Sequence, residues 1–193
     1  MNIFEEMPIN IYIVTDVQLF GPYTGKGAYA AVLERGGYTR TIQMPVNGTT
    51  DRDAMHYAIC AALASLKKDG MDIVIHTTDK PFAQSFLDNI KKCSRYTHGS
   101  DYGIDGIPSF NMNIITAVLM SKHRSVSVSW HETHDCDAFL QAKRLASQTK
   151  WQTWYPERQN APDEENVIVR NSLELIDKYV NAIKAKGQEH QIS

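Results

Sequence analysis

The segment INIYIVTD (Ile9–Asp16) is an almost unbroken run of apolar, β-branched positions, which predicts a central strand ending in a carboxylate. GAYAAVLERG (Gly27–Gly36) and YTRTIQMP (Tyr38–Pro45) follow, divided by Gly36-Gly37, a hairpin signal, so three strands open the chain as an antiparallel meander. The period then changes. Met55, Ile59, Ala62, Leu63 and Leu66 recur at helical spacing, with Thr49, Thr50 or Asp51 to cap the helix and Gly70 to stop it. MDIVIHTTD (Met71–Asp79) returns to strand character and again ends in an aspartate. PFAQSFLDNIKKCSRY reads as a helix with proline in its first turn, and FNMNIITAVLMSKHR as another. SVSVSW (Ser125–Trp130) alternates cleanly as a strand, and HETHDCDAFLQAKRLASQ turns into a helix with Asp137 in its first turn. The order βββαβααβα predicts an α/β domain, a mixed five-stranded sheet with helices on its faces.

The chain divides at about residue 147. Residues 1–147 carry the sheet, and 148–193 form an extension with one amphipathic helix, DEENVIVRNSLELIDKYVNAIKAKG. Val169, Leu173, Ile176, Val180 and Ile183 make a single apolar seam, which calls for docking on the body or, in the sharper reading, for a homodimer or protein partner. The intervening WQTWYPERQ is aromatic enough to anchor that docking or to stack on a base.

Composition narrows the function without naming it. The 193 residues carry a net charge of −2, so binding to nucleic acid would rest on a local patch or on metal ions rather than on a bulk basic field. Lys91, Lys92 and Arg95 are the local candidates for phosphate contacts. Three cysteines without a CxxC suggest reduced thiols. The N-terminal residues lack a basic, apolar leader pattern, and no apolar run is long enough to span a membrane, so a cytoplasmic protein with no membrane partner is expected.

The chemistry lies in the aspartates. Asp16 and Asp79 each end a predicted strand, and Asp137 opens a helix after another. Any one of them reads as an ordinary turn residue. If the strands are adjacent, however, the carboxylates meet at one sheet edge, and such a group stays ionised only beside a cation. Mg²⁺ or Mn²⁺ suits an all-oxygen site, and a pair of such ions can clamp both oxygens of a phosphoryl displacement. His131, His134 and Cys136 do not have the spacing of a zinc site.

Over roughly residues 9–147 the chain resembles the type I ribonuclease H family. YIVTDVQLFGPYTGKGAYAAVL resembles the family's TDGS opening, TTDRDAMHYAICAALASL its first helix, IHTTDKPFAQSFLDNIKK its STDS segment, and HDCDAFLQAKRLAS its last acidic helix. The resemblance implies the ribonuclease H-like fold and an endonuclease that hydrolyses the RNA strand of RNA–DNA hybrids. It assigns catalysis and metal binding to Asp16, Asp79 and Asp137. The family's first-helix glutamate aligns with Met55, leaving three aspartates; Asp53 points elsewhere on a regular helix. Val17 and Gln18 replace small residues that lie close to the substrate, and Thr50, Asp51 and Arg52 fall on substrate-contacting positions before the helix. The family's loop histidine corresponds to His131 or His134, with His131 favoured as an assistant to catalysis. The missing glutamate motivates the alternative, a catalytically weakened module that binds nucleic acid or protein. A 3′–5′ exonuclease of related fold is disfavoured because Asp16 is followed by Val17-Gln18 rather than x-Glu.

Overall fold

The computed structural model describes residues 7–20, 25–94 and 108–154. Strands β1 (Ile9–Leu19), β2 (Gly25–Arg35) and β3 (Tyr38–Thr49) lead into helix α1 (Asp51–Ala64). Then come β4 (Asp72–Thr77), α2 (Lys80–Ser94), α3 (Pro108–Ser121), β5 (Ser125–Trp130) and α4 (Asp137–Trp154). The strands form one mixed sheet in the order β3-β2-β1-β4-β5. The first three pair antiparallel, and β4 and β5 extend the other edge of β1 in parallel. This is the five-stranded mixed sheet that the alternation predicted. Gly36 and Gly37 take φ of 54° and 85°, the left-handed pair that a tight two-residue hairpin turn requires.

β1 sorts the layers by side-chain parity. Its odd residues Ile9, Ile11 and Ile13 join Tyr29, Ala31 and Leu33 of β2 in a core shared with α1, α2 and α3. The fully buried isoleucines of β1 and β4 stabilise this layer by about 1.5–3 kcal/mol each. The even residue Val14, with Tyr12 beside it, packs with Ala30 and Val32 against Ala138, Phe139, Ala142 and Ala146 of α4. Three alanines at four-residue spacing let α4 lie close on the sheet. Helices therefore cover both faces, α1–α3 on one and α4 on the other.

Two boundaries differ from the sequence reading. β1 does not stop at Asp16 but stays paired with β2 as far as Leu19, because Gly25 and Gly27 let the two strands run on together. Its pairing with β4 covers only Ile9–Tyr12, so Asp16 lies within a strand on one side and beyond a strand end on the other. Helix α4 continues through residue 147, so the division drawn there falls inside a helix. Residues 95–107, Arg95 among them, and the C-terminal helix expected at 163–187 lie outside the described residues. Among the described residues, no helix is long and apolar enough to cross a membrane.

One core group carries a titration. His56 of α1 is buried edge-on to Phe82, 5.2 Å between ring centroids, and its Nδ1 has no hydrogen-bond partner. Burial, and then the charge of Arg52, push its pKa down to about 4 against the pull of Asp53. The unfolded chain titrates near 6.5, so as pH falls the unfolded state takes a proton that the folded core refuses. Stability held at neutral pH is therefore lost between about 6.5 and 4. Urea unfolding across that window should show a loss of roughly 3 kcal/mol from this group, and His56→Leu should remove that part of the slope. An unchanged slope in His56→Leu would contradict the assignment.

Candidate active site

The ends of β1 and β4 and the starts of α1 and α2 meet on one side of the sheet. Thr50 caps α1: its Oγ1 accepts from the Asp53 backbone N at 3.1 Å and donates to Asp53 Oδ2 at 2.8 Å. That reciprocal cap uses the Asp53 carboxylate and leaves Asp51 as the acidic group at the helix tip. Asp51 as a residue is exposed, yet its carboxyl accepts a hydrogen bond from Thr15 of β1 and is screened from water. Burial pushes its pKa up, the Thr15 bond pulls it down, and the negative charges of Asp79 and Asp16 push it up further. Three carboxylates thus share one electrostatic neighbourhood: Asp16, Asp51 and Asp79.

Asp79 stands two residues past the end of β4, in the turn rather than in the strand. Its Oδ1 accepts from the Phe82 backbone N at 2.8 Å and its own N donates to Thr77 Oγ1 at 3.1 Å, which fixes it as the cap of α2. One oxygen is thereby committed to the helix. Asp16 projects to the α4 face, and Lys150 Nζ donates to its Oδ1 at 2.6 Å. The partners' side chains are 18% and 35% exposed for Lys150 and Asp16, more enclosed than a freely solvated surface pair. The backbone under Asp16 is held tightly, since a Cβ at Gly27 would come within 2.6 Å of Val17 Cα.

Asp137, expected as the third metal ligand, is exposed and opens α4 three residues after His134, whose Nε2 lies 3.2 Å from Thr78 Oγ1 beside Asp79. Met55 lies one turn after Asp51 on the same face of α1, buried, with Thr77 Oγ1 donating to its Sδ at 3.4 Å. It fills the core beneath the acidic group and presents no ligand to it. Val17 packs beside Gly25, and Gln18 is exposed at the strand end. Arg52 Nη2 donates to Ser85 Oγ at 3.1 Å, bridging the starts of α1 and α2.

His131 turns back along the sheet. Its Nε2 lies 2.8 Å from His76 Nδ1, and His76 Nε2 lies 3.0 Å from Asn10 Oδ1, a chain of three side chains under α4. Burial, then His131, push the His76 pKa down to about 4, so His76 is neutral at pH 7. His134 Nε2 lies 3.2 Å from Thr78 Oγ1, one residue from Asp79. Of the two histidines, His134 is thus tied next to the acidic group, while His131 is engaged in the chain to His76.

All-oxygen donors suit Mg²⁺ or Mn²⁺, and the upward-shifted Asp51 is a carboxyl that a nearby cation would relieve. Among the described residues no group of three or more His, Cys, Asp or Glu side chains is arranged as a preformed metal site.

If the three carboxylates repel one another, Asp51→Asn, which keeps the bond from Thr15, should raise the melting temperature of the metal-free protein at pH 7. The raised pKa means that stability is lost as pH rises through it, so the gain should shrink as pH falls below the ordinary carboxylate range. Equal melting temperatures at pH 7 would mean that the repulsion is absent.

No protein-family model matches the chain, and no curated protein matches it by sequence. Solved structures do. RNase H1 from the halophilic archaeon Halobacterium salinarum NRC-1 matches over 74% of this chain and 96% of its own, with 15% identity and a TM-score of 0.51. The N-terminal RNase H domain of a Mycobacterium tuberculosis protein matches over 77% and 99%, with 13% identity and a TM-score of 0.54. The foamy viral protease-reverse transcriptase in complex with RNA/DNA hybrid matches over 81% of this chain and 21% of its own, with 13% identity and a TM-score of 0.53. With its sheet order, its helices on both faces and these likenesses, the chain has the ribonuclease H-like fold.

Proposed function

We propose that the chain is a divalent-metal-dependent endonuclease that cuts the RNA strand of RNA–DNA hybrids, with Asp16, Asp51 and Asp79 as its acidic centre. The observation that carries this reading is the placing of three carboxylates at one edge of a ribonuclease H-like sheet: Asp16 on β1 beyond its pairing with β4, Asp51 at the start of α1 and Asp79 at the cap of α2. Repelling carboxylates at a strand-end crevice are a cost to a fold unless a cation is to be bound there. The foamy viral protein of like fold, solved with an RNA/DNA hybrid, supports the substrate class.

A bound Mg²⁺ or Mn²⁺ supplies Lewis acidity at the scissile phosphate and a more acidic water. The chain's own groups do the rest. Asp51 and Asp79 offer carboxylate oxygens from two helix starts, where the helices themselves hold the backbone rigid. Arg52, exposed and steadied by Ser85, is set to take a backbone phosphate. Backbone groups near the end of β1 and the start of α1 are the contacts for 2′-hydroxyls.

A second reading is favoured by two observations, the Asp16–Lys150 pair and the buried Met55: a ribonuclease H-like chain that grips nucleic acid without cutting it. A labelled RNA–DNA hybrid, incubated with Mg²⁺ or Mn²⁺, separates the two. The nuclease reading expects cleavage that falls at least about 100-fold in Asp79→Asn, beyond what loss of a supporting partner costs a metal site. Hybrid binding without cleavage under either metal would establish the second reading.

A further inference from the structure

We infer that Trp130 and Lys80 form a docking platform for one unpaired nucleotide of the nucleic-acid substrate, with its base on the indole and its phosphate on the ammonium. This deepens the nucleic-acid reading given above and rests on it, but not on a metal. Trp130 is the last residue of β5 and stands opposite Thr77 of β4, so it lies at the sheet end where Asp79 caps α2. Parity puts it on the side of Val126 and Val128, which pack toward the core under α1–α3. Unlike them it reaches the surface, 41% exposed. Its ring is nonetheless held in place: Nε1 donates to the Thr78 carbonyl oxygen at 3.3 Å, and Lys80 Nζ sits 4.8 Å from the ring centroid. Thr78, Asp79 and Lys80 are consecutive, so the platform begins next to the acidic group.

An exposed indole fixed by its N–H presents a steady aromatic face, the feature on which unpaired bases stack. The lysine over that face is weakly held, because a cation–π contact is worth little at an exposed site and the lysine stem is flexible. An arriving base takes the ring while the ammonium moves aside to the adjoining phosphate. Arg52, exposed and braced on Ser85, adds a second cation at the start of α2. Charge alone does not select an anion here, since Asp79 is the next residue and Glu132 and Asp135 are exposed in the loop after β5. The ring must supply the anchor, which favours a nucleotide over a bare phosphate or an acidic peptide. Bases inside a duplex are already stacked on both faces, so the ring takes only a base that is unpaired or at an end. The platform therefore selects hybrids that carry a single-stranded nucleotide beside the acidic group.

The test is binding of fluorescein-labelled RNA–DNA hybrids to the full chain, read by fluorescence anisotropy in EDTA and again in Ca²⁺. One hybrid is blunt and the others carry a short single-stranded overhang on one strand or the other. A 2-aminopurine in the overhang reports stacking directly, by quenching of its emission. The wild type should bind one of the overhang hybrids at least about 10-fold more tightly than the blunt one and quench the 2-aminopurine. Trp130→Ala should abolish both the preference and the quenching while leaving the affinity for the blunt hybrid unchanged, and Trp130→Phe should keep both in part. Lys80→Gln should weaken overhang binding and reduce its salt slope by about 1. Circular dichroism checks that each variant is folded. Equal binding of blunt and overhang hybrids by the wild type, or a preference that survives Trp130→Ala, would overturn the inference and leave the nucleic-acid reading standing. No binding of any hybrid under either condition would overturn both.

Discussion

Most of this structure depends on the close seating of α4 on the first strand. β1 is the middle strand of the sheet, and its alternation commits odd residues to the core beneath α1–α3 and even residues to α4. Because Ala138, Ala142 and Ala146 present only methyl groups, the helix settles against Val14, Ala30 and Val32 with no space for a larger side chain. That seating fixes what can face Asp16. It brings a lysine there. One packing choice thereby decides the charge composition of the centre.

The second constraint is electrostatic. β1 outruns β4, so Asp16 lies past the end of their pairing, at the edge where α1 and α2 begin. Each carboxylate there has a local role or partner as well: Asp79 caps α2, Asp51 accepts from Thr15, and Asp16 holds Lys150. The group is therefore compatible with a stable fold in the absence of metal, while Asp51 still bears the cost of its neighbours' charge.

The elements were legible in the sequence because each follows a period. Strict alternation in SVSVSW, the apolar run of β1 and the helical spacing of Met55, Ile59 and Leu63 each point to one structure, and the glycine pair at 36–37 fixes the first hairpin. Asp16 and Asp79 were legible as strand-end charges, although one lies within its strand and the other in the turn beyond. Asp51 was noticed only as a helix-start residue in contact with substrate. Its part in the acidic group depends on Thr50 and Asp53 completing the cap between themselves, a pairing that local sequence suggests but does not compel. Asp137 was legible as the opening residue of α4, where the structure puts it. Lys150 had a signal, the Ala-Ala-Ala-Lys stripe at four-residue spacing, but its partner is 134 residues away in the chain and only the fold joins them.

The most direct test of this account is a crystal of the full chain grown with Mn²⁺, located by its anomalous scattering. The account predicts a peak where the carboxylates of Asp16, Asp51 and Asp79 face one another, at the ends of β1 and β4. No peak at the ends of β1 and β4 would contradict it.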